Sequence, residues 1–313
     1  MPDHVFPCDA CGAQLRFAPG QTSLTCPSCG HLQEIPEAAP EEAAEALREV
    51  DYAAVVASLE RGAALEDHRV LACPNCGAQT EFSEGVQAAT CPFCATPLIV
   101  EAALSRQIRP AALIPFALDE RTAREAMTRW LGSLWFAPNG LQEYARKGRR
   151  MDGIYVPYWT FDAHTQTTYA GQRGDSYTTH RTVLRDGKPV RVSETRVRWR
   201  NARGRVARAF DDVLVLASTS LPRAHTDALE PWDLRALVPY RPDFLAGFAA
   251  EGYQVGLEAG FTEARAIMDR VIEGDVRRDI GGDHQRITSM SPVVSDVTFK
   301  HVLLPVWMAA YRF

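Results

Sequence analysis

Two stretches of this 313-residue chain decide its fold: CDACGAQLRFAPGQTSLTCPSC at residues 8–29 and CPNCGAQTEFSEGVQAATCPFC at residues 73–94. Each stretch contains two CxxC pairs separated by fourteen residues, and the second repeats the first at a constant offset of 65 residues. The repetition predicts two copies of one small cysteine-rich unit. Together the two copies hold all eight cysteines of the chain, which are Cys8, Cys11, Cys26, Cys29, Cys73, Cys76, Cys91 and Cys94.

The cysteine spacing is typical of zinc ribbons, in which four thiolates surround one Zn²⁺ in a closed tetrahedral site. We therefore predict two structural zinc ions, one in each repeat. Disulfides are not expected, because the chain lacks a secretion signal. Iron is an alternative, since the same four thiolates can hold it. A ribbon of this size is too small to bury a core, so metal binding should supply folding free energy on the order of 10 kcal/mol per site. Phe17 and Phe82, which match in the two repeats, are predicted to be the apolar plugs of the ribbons.

The composition is that of a globular protein, with 46% hydrophobic and 23% charged residues. No stretch approaches the ~18 uninterrupted apolar residues of a membrane helix, so the chain as given is expected to be cytoplasmic. The first hundred residues carry four arginines and no lysine against 14 carboxylates, a net charge of −10. Phosphate binding requires Lys and Arg, so the ribbons are expected to contact protein rather than nucleic acid.

The pattern along the chain predicts an α+β protein: two small β zinc ribbons that are joined by a helix precede a duplicated α+β domain with antiparallel sheets. The Ala- and Glu-rich stretch Glu41–Glu60 predicts a single helix that is closed by Gly62. The expected boundaries are ribbon 1 at 1–35, a helical linker at 36–70, ribbon 2 at 71–100 and the α+β domain at 101–313.

Within the α+β domain, the order strand, helix, aromatic strand occurs twice and suggests an internal repeat, 110–218 and 235–313. We expect an antiparallel meander over 159–218, with turns at Asp186–Gly187 and near Asn201–Gly204. Three further strands should follow the second helix. Helical spacing predicts the buried faces of the two helices and their ends at Gly132 and Gly274. These faces consist of Ala123, Met127, Trp130 and Leu131 in the first helix and of Ala264, Ile267, Met268, Val271 and Ile272 in the second.

The most basic part of the chain is the segment 181–208, with ten Arg or Lys residues against Asp186 and Glu194. The favoured prediction is a solvated sheet face that pairs with the acidic ribbons. The alternative is a phosphate-binding surface for nucleic acid or anionic lipid. Its candidate anion-binding residues are Arg196, Arg198, Arg200, Arg203 and Arg205.

Catalytic motifs are absent from the sequence: it contains no GxxxxGK[ST], GxGxxG, HExxH or GxSxG. The four thiolates of each site leave zinc no open position for substrate. A rival prediction places an enzyme at Asp283 and His284, an acid and base pair after two glycines, and it requires a pocket that converges on them. We expect no enzymatic activity.

The chain resembles a bacterial family of transcription-factor-IIB-type zinc-ribbon proteins, often labelled primosomal protein N′ or superfamily II helicase-like. The likeness lies in the duplicated CxxC pairs and in seven further motifs: LIPFALDE (113–120), LWFAPN (134–139), GIYVPYWTFDA (153–163), FDDVLV (210–215), LEPWDL (229–234), RRDIGGDHQRI (277–287) and VLLPVWMAAYRF (302–313). The resemblance implies no defined activity, and helicase activity is not expected because the chain has no motor motifs. Members of this family commonly continue past the position of Phe313 into a membrane helix, so we expect a fragment of a longer protein that is tethered to the inner membrane.

These observations together predict a non-enzymatic zinc-binding scaffold or adaptor. It should contact protein partners, at the cytoplasmic membrane face if the natural chain continues past Phe313. Nucleic-acid binding through 181–208 is the alternative.

Overall fold

The chain forms two compact units in this computed structural model, which describes residues 6–60, 65–81, 88–94, 96–99, 103–133, 151–185 and 188–309. The first unit comprises Met1–Thr160, Leu214–Gly260 and Phe299–Phe313, and the second comprises Phe161–Val213 and Phe261–Thr298. Helices and strands are both present, and the predicted α+β class is confirmed.

The secondary structure is dominated by strands. The helices are α1 (Pro40–Ala46), α2 (Tyr52–Glu60), α3 (Glu120–Ser133), α4 (Arg223–Asp227) and α5 (Leu257–Ile280), with 3₁₀ turns at Leu234–Ala236 and Pro242–Leu245. The strands are β1 (Arg16–Phe17), β2 (Ser23–Thr25), β3 (Leu32–Glu34), β4 (Val50–Asp51), β5 (Glu66–Ala72), β6 (Gln79–Glu81), β7 (Ala88–Thr90), β8 (Pro97–Ile99), β9 (Ala103–Gln107), β10 (Ala112–Leu113), β11 (Asp152–Arg185), β12 (Lys188–Leu216), β13 (Val238–Pro239), β14 (Ala249–Glu251) and β15 (His284–Met308).

Most strands join one sheet with the order β13-β10-β15-β11-β14-β6-β5-β9, in which β12 also pairs with β11 and β4 with β15. Ribbon 1 forms a separate sheet, β1-β2-β3, and β7 pairs with β8. The large sheet is not purely antiparallel, because β10 runs parallel to β15 and β11 runs parallel to β14. Strands from the two predicted repeats therefore alternate at one end of this sheet.

Ribbon 1 shares its hydrophobic core with the α+β domain. Its buried Leu15, Phe17 and Leu24 belong to the same cluster as Phe116 and Phe244. The Phe17 ring meets the Phe244 ring edge-on, with centroids 5.3 Å apart. The backbone is also joined, since the Phe17 amide donates to the Ala246 carbonyl at 2.8 Å. The predicted plug role of Phe17 thus extends beyond the ribbon, while Phe82 lies outside the described residues.

Ribbon 2 is joined to the α+β domain through its strands. Its β6 pairs with β14, with Ala250 opposite Glu81 and Glu251 opposite Thr80. The amide of Gly252 donates to the Gln79 carbonyl at 3.0 Å and extends this pairing. The cysteine end of the ribbon has a small cluster of its own, with Leu71, Cys73, Ala78 and Cys91 buried.

The core of the second unit lies between α5 and one face of β11 and β12. On β11, alternate residues from Phe161 to Gly171 are buried, and the residues between them are exposed or half-buried. Two polar contacts fasten the helix: Arg208 on β12 binds both carboxylate oxygens of Asp275 at 2.5 and 2.7 Å, and the Tyr169 hydroxyl donates to Asp279. The α5 side chains buried in this unit are Ala264, Met268, Ile272, Val276 and Ile280.

The predicted single linker helix is wrong, because the chain forms two helices, α1 and α2, with β4 between them. Two side chains explain the break. The Asp51 carboxylate accepts the Ala54 amide at 2.7 Å and so caps α2, and Glu49 forms an ion pair with Lys300 on β15 at 2.9 Å. Further along, β5 already begins at Glu66, within the predicted helical linker. Gly62 lies outside the described residues.

The predicted turn at Asn201–Gly204 is also wrong, since β12 continues through it. Gly204 is needed for close approach instead: a Cβ atom there would lie 2.5 Å from the Tyr169 hydroxyl and 2.8 Å from Asp279. The predicted turn at Asp186–Gly187 lies outside the described residues.

The second helix does not end at Gly274 as predicted. It continues to Ile280 and is followed by Gly281 and Gly282, both with positive φ. The three strands predicted after it are one continuous strand, β15. Of the predicted apolar faces, Ala123, Leu131, Ala264, Met268 and Ile272 are buried, whereas Trp130 is 60% and Val271 37% exposed.

Alanine substitutions at Gly204 and Gly274 test the different roles that the structure gives these two glycines. Gly204→Ala should lower the free energy of unfolding by about 1–3 kcal/mol, because the added methyl group displaces Tyr169 and Asp279. Gly274→Ala, where nothing lies within 4 Å of a new Cβ, should instead raise it by roughly 0.5–1 kcal/mol, since alanine favours a helix interior. Urea unfolding of both variants measures the difference. Equal effects at the two positions would contradict the role assigned to Gly204.

Candidate metal centres

The first CxxC pair of each repeat forms the same tight turn. In ribbon 1 the Cys8 amide donates to the Ala13 carbonyl at 2.7 Å, and the Gly12 amide donates to the Cys8 carbonyl at 2.8 Å. In ribbon 2 the equivalent bonds join Cys73 with Ala78 and Gly77 with Cys73, both at 2.8 Å. Gly12 and Gly77 have φ of 72° and 76°, a region that glycine adopts readily. The two repeats therefore have the same backbone conformation at positions that are 65 residues apart.

The second CxxC pairs close the two sites. The Cys26 amide donates to the His31 carbonyl at 2.8 Å and the Cys91 amide to the Thr96 carbonyl at 2.9 Å. As a result, each set of four sulfur atoms converges, with all four lying within 4.8 Å of one another. The two sets are Cys8, Cys11, Cys26 and Cys29, and Cys73, Cys76, Cys91 and Cys94.

The sulfur spacing fits a tetrahedral metal ion. In ribbon 1 the sulfur atoms of Cys8 and Cys29 are 3.7 Å apart and those of Cys11 and Cys26 are 3.5 Å apart, and the corresponding distances in ribbon 2 are 3.5 and 3.7 Å. A Zn²⁺ ion with Zn–S bonds of ~2.3 Å requires sulfur atoms about 3.8 Å apart. A disulfide would bring two sulfur atoms to ~2.05 Å, and all eight cysteines are free thiols. Both sets can therefore hold a metal ion of this kind.

The local electrostatics already favour a thiolate in each set. The backbone amide of Cys29 lowers the pKa of the Cys26 thiol to about 6. Burial opposes ionisation of Cys94, but hydrogen bonds from Asn75 and Thr96 outweigh it and lower the pKa of this thiol to about 6. At Cys29 the His31 amide favours the thiolate, yet the neighbouring thiols raise the pKa to about 12. One cation between the sulfur atoms would remove this mutual repulsion.

The predicted anion-binding arginines all lie on β12 and are exposed. Arg196 binds Glu194 at 3.0 Å, and Arg198 lies 5.1 Å from the centre of the Tyr177 ring. From residue 196 to residue 200 the even-numbered side chains of β12 are exposed, and from residue 201 to residue 209 the odd-numbered ones are. Arg203 and Arg205 are therefore exposed as well. The structure therefore presents all five arginines to solvent, and anion binding by them stays a prediction.

Asp283 and His284 follow the Gly281–Gly282 turn and are both exposed. Their contacts run to Ser176, whose amide donates to the Asp283 carboxylate at 2.7 Å and whose hydroxyl lies 3.1 Å from Nε2 of His284. The pair thus joins the start of β15 to β11.

A buried carboxyl group that the sequence analysis missed lies where ribbon 2 joins the α+β domain. Glu251 on β14 is 2% exposed, and its Oε1 accepts hydrogen bonds from Ser218 at 2.9 Å, Gln254 at 3.1 Å and Ser220. Its Oε2 and the hydroxyl of Thr80 across the strand pair are buried without a hydrogen-bond partner among the described atoms. Burial raises the pKa of Glu251 to about 7, although the two serine hydroxyls lower it. The burial of Glu251 depends on contacts between distant parts of the folded chain, so no local sequence pattern indicates it.

Three comparisons with known proteins gave one similar sequence. No family profile matches it, and no solved structure matches it. The uncharacterized protein YdjG of Bacillus subtilis (strain 168) is 26% identical over 219 residues, which cover 67% of this chain and 59% of YdjG. The chain thus matches little more than half the length of this relative. The resemblance to transcription-factor-IIB-type zinc ribbons stays a prediction, which the two four-cysteine sets support.

The expected membrane tether stays a prediction as well. Among the residues that the structure describes, no helix has the length and apolar character required to cross a membrane.

Glu251 makes stability depend on pH. Because its pKa is raised from an ordinary value of 4.5, the folded state binds the proton more strongly than the unfolded state does. Its contribution to stability is complete below about pH 4.5 and is lost as the pH rises through about 7. Glu251→Gln keeps the shape without the charge, so its advantage in unfolding free energy should grow over this window to roughly 3 kcal/mol. Urea unfolding from pH 4 to 8 measures it.

A matched control separates this effect from the titration of other carboxylates. The control is Glu45→Gln, which removes an exposed carboxylate of α1 that lies outside the core. A flat difference curve for Glu251→Gln would show that burial does not shift this group.

Proposed function

We propose that the protein is a non-enzymatic scaffold that binds two structural zinc ions and uses its ribbons to contact partner proteins. The observation that carries the proposal is the convergence of the two four-sulfur sets at tetrahedral spacing. Four thiolates complete the coordination of zinc, so the ions have a structural role and leave no position for substrate.

Ribbon 1 supports the adaptor role through its outer strand. In the sheet order β1-β2-β3, β3 lies at the edge, whereas β1 binds the domain through Phe17 and Ala246. Leu32 on β3 is 57% exposed. An edge strand with unused backbone donors and an exposed leucine favours pairing with another chain. The acidic character of the first hundred residues favours a protein partner over a nucleic acid here.

A role without catalysis also agrees with the surroundings of the rival pair. Asp283 and His284 are exposed at a turn, and the contacts of both run to Ser176. An acid and base that act on a substrate usually lie in a concave site that excludes water.

Metal analysis tests the zinc sites. The chain, purified without added metal, should contain two zinc ions, and the variants Cys11→Ser/Cys29→Ser and Cys76→Ser/Cys94→Ser should each contain one. Elemental analysis and the absence of visible absorption distinguish zinc from iron. A chain that folds fully with less than one metal ion would contradict the proposal.

Loss of the two sites should have unequal consequences. Ribbon 1 contributes six of the thirteen buried residues in its cluster, whereas the cysteine end of ribbon 2 has a separate cluster of four. The ribbon 1 variant should therefore lower the stability of the first unit more than the ribbon 2 variant does. Thermal unfolding and hydrogen exchange at Phe116 and Tyr155 measure this difference. Equal protection of these amides in the two variants would show that the shared core does not depend on site 1.

The partner contact can be tested at the edge of ribbon 1. A photo-crosslinking amino acid at Leu32 should form an adduct with a partner in cells, and the adduct should disappear in the Cys11→Ser/Cys29→Ser variant. The control position is Val271 on α5, which is 37% exposed and lies in the other unit. Equal adducts at both positions would remove the argument for a specific contact at β3.

A further inference from the structure

The strands β11 and β12 continue beyond the part of the second unit that α5 and β15 cover. The helix ends at Ile280 and β15 begins at His284, where the Asp283 amide donates to the Gly174 carbonyl. Past this point, residues 177–185 and 188–198 form an arm in which no described side chain is buried. Leu184 is 77% exposed. An unsupported pair of strands is marginally stable by itself, so the arm is not explained by the core.

Hydrogen bonds fix which side chains share a face of the arm. The Ser193 hydroxyl lies 3.1 Å from the Nδ1 atom of His180, so these two residues lie on one face. Because side chains alternate along a strand, the basic side chains of odd-numbered β11 residues and even-numbered β12 residues lie on the other face. The Arg198 guanidinium above the Tyr177 ring, at 5.1 Å, lies on this second face. The cationic face therefore consists of Arg181, Arg185, Lys188, Arg196 and Arg198.

Among the residues that the structure describes, most of the cations on this face have no ion-pair partner. Its carboxylate, Glu194, is bound by Arg196 at 3.0 Å. Within the described part of the second unit, Arg181, Arg185, Lys188 and Arg198 form no ion pair. At ~0.1 M salt, charges more than ~10 Å apart are largely screened, so this local excess determines what the arm attracts rather than the net charge of −5.

The shape of the arm matches one kind of polyanion. The major groove of B-DNA is ~12 Å wide and admits a two-stranded β-ribbon. Nine residues from Tyr177 to Arg185 span roughly 30 Å, close to one turn of the duplex. Val190 and Val192, which are 40% and 37% exposed, lie between the cations on the same face. Apolar side chains in this position contact the thymine methyl groups that line the groove.

We propose that the cationic face of the arm binds double-stranded DNA, with its Arg and Lys side chains on the phosphates and its valines against the base edges of the major groove. This activity is separate from the zinc ribbons and goes beyond the scaffold role. The sequence favoured a solvated sheet face in this segment, whereas the proposal makes the same face a ligand-binding surface.

Binding of a labelled ~20-base-pair duplex to the zinc-loaded chain, followed by fluorescence anisotropy, tests the proposal. Four phosphate contacts predict that the affinity falls roughly 100-fold between 50 and 200 mM salt. The variant Arg181→Gln/Arg185→Gln/Lys188→Gln/Arg198→Gln should lose most of the affinity at 50 mM salt and most of the salt dependence. These side chains are exposed, so the fold should tolerate the change.

Two matched variants exclude simpler explanations. Arg48→Gln/Arg129→Gln/Arg235→Gln/Arg270→Gln removes the same charge from exposed positions outside the arm and should bind within about twofold of the unmodified chain. Arg181→Lys/Arg185→Lys/Arg198→Lys keeps the charge and should keep the salt dependence. Hydrogen exchange should also slow at residues 177–198 when DNA is added.

Three outcomes would overturn the proposal. They are no duplex binding at 50 mM salt, equal losses in the two four-charge variants, and binding to phosphatidylglycerol vesicles without binding to DNA. The last result would assign the arm to a lipid surface instead.

Discussion

The shared core of ribbon 1 and the α+β domain is the constraint on which the first unit depends. Three strands of two or three residues cannot bury enough apolar surface to fold alone. Leu15, Phe17 and Leu24 instead pack in one cluster with Phe116 and Phe244. A metal ion bound by the four cysteines would therefore only need to fix the cysteine turns, because the domain supplies the hydrophobic contacts. Ribbon 1 is consequently a structural part of the unit rather than an appendage.

The two converging four-cysteine sets were predictable because their signal is local. A CxxC pair followed by glycine determines its own turn, and the positive φ of Gly12, Gly30 and Gly77 follows from the hydrogen bonds within that turn. The duplication added a second copy of the same signal, so the eight converging cysteines and the α+β class could be identified from the sequence. The way in which each ribbon joins the domain could not, because it depends on residues more than a hundred positions away, such as Phe244 and Ala250.

The wrong predictions have the same physical origin. Glycine was read as a breaker at both Gly204 and Gly274, yet one permits the approach of Tyr169 and the other lies in an open helix interior. The linker was read as one helix from its composition, but the ion pair between Glu49 and Lys300 and the cap at Asp51 divide it. Local propensity depends only on the residues of one segment. At Gly204 and in the linker, specific side-chain contacts decided the conformation instead.

The strand β12 shows that the exposed charge of the arm is not a requirement of folding. Where β12 supports the core, Arg208 is held by both oxygens of Asp275, a geometry that adds stability and specificity. Farther along, the same strand and its neighbour present cations on one face, and like charges on one face of a strand pair destabilise it. Within the described residues, the chain therefore has a carboxylate beside Arg208, whereas four of the five cations on the cationic face of the arm have none. A bound polyanion would relieve this repulsion, which is the physical basis of the DNA-binding role proposed for the arm.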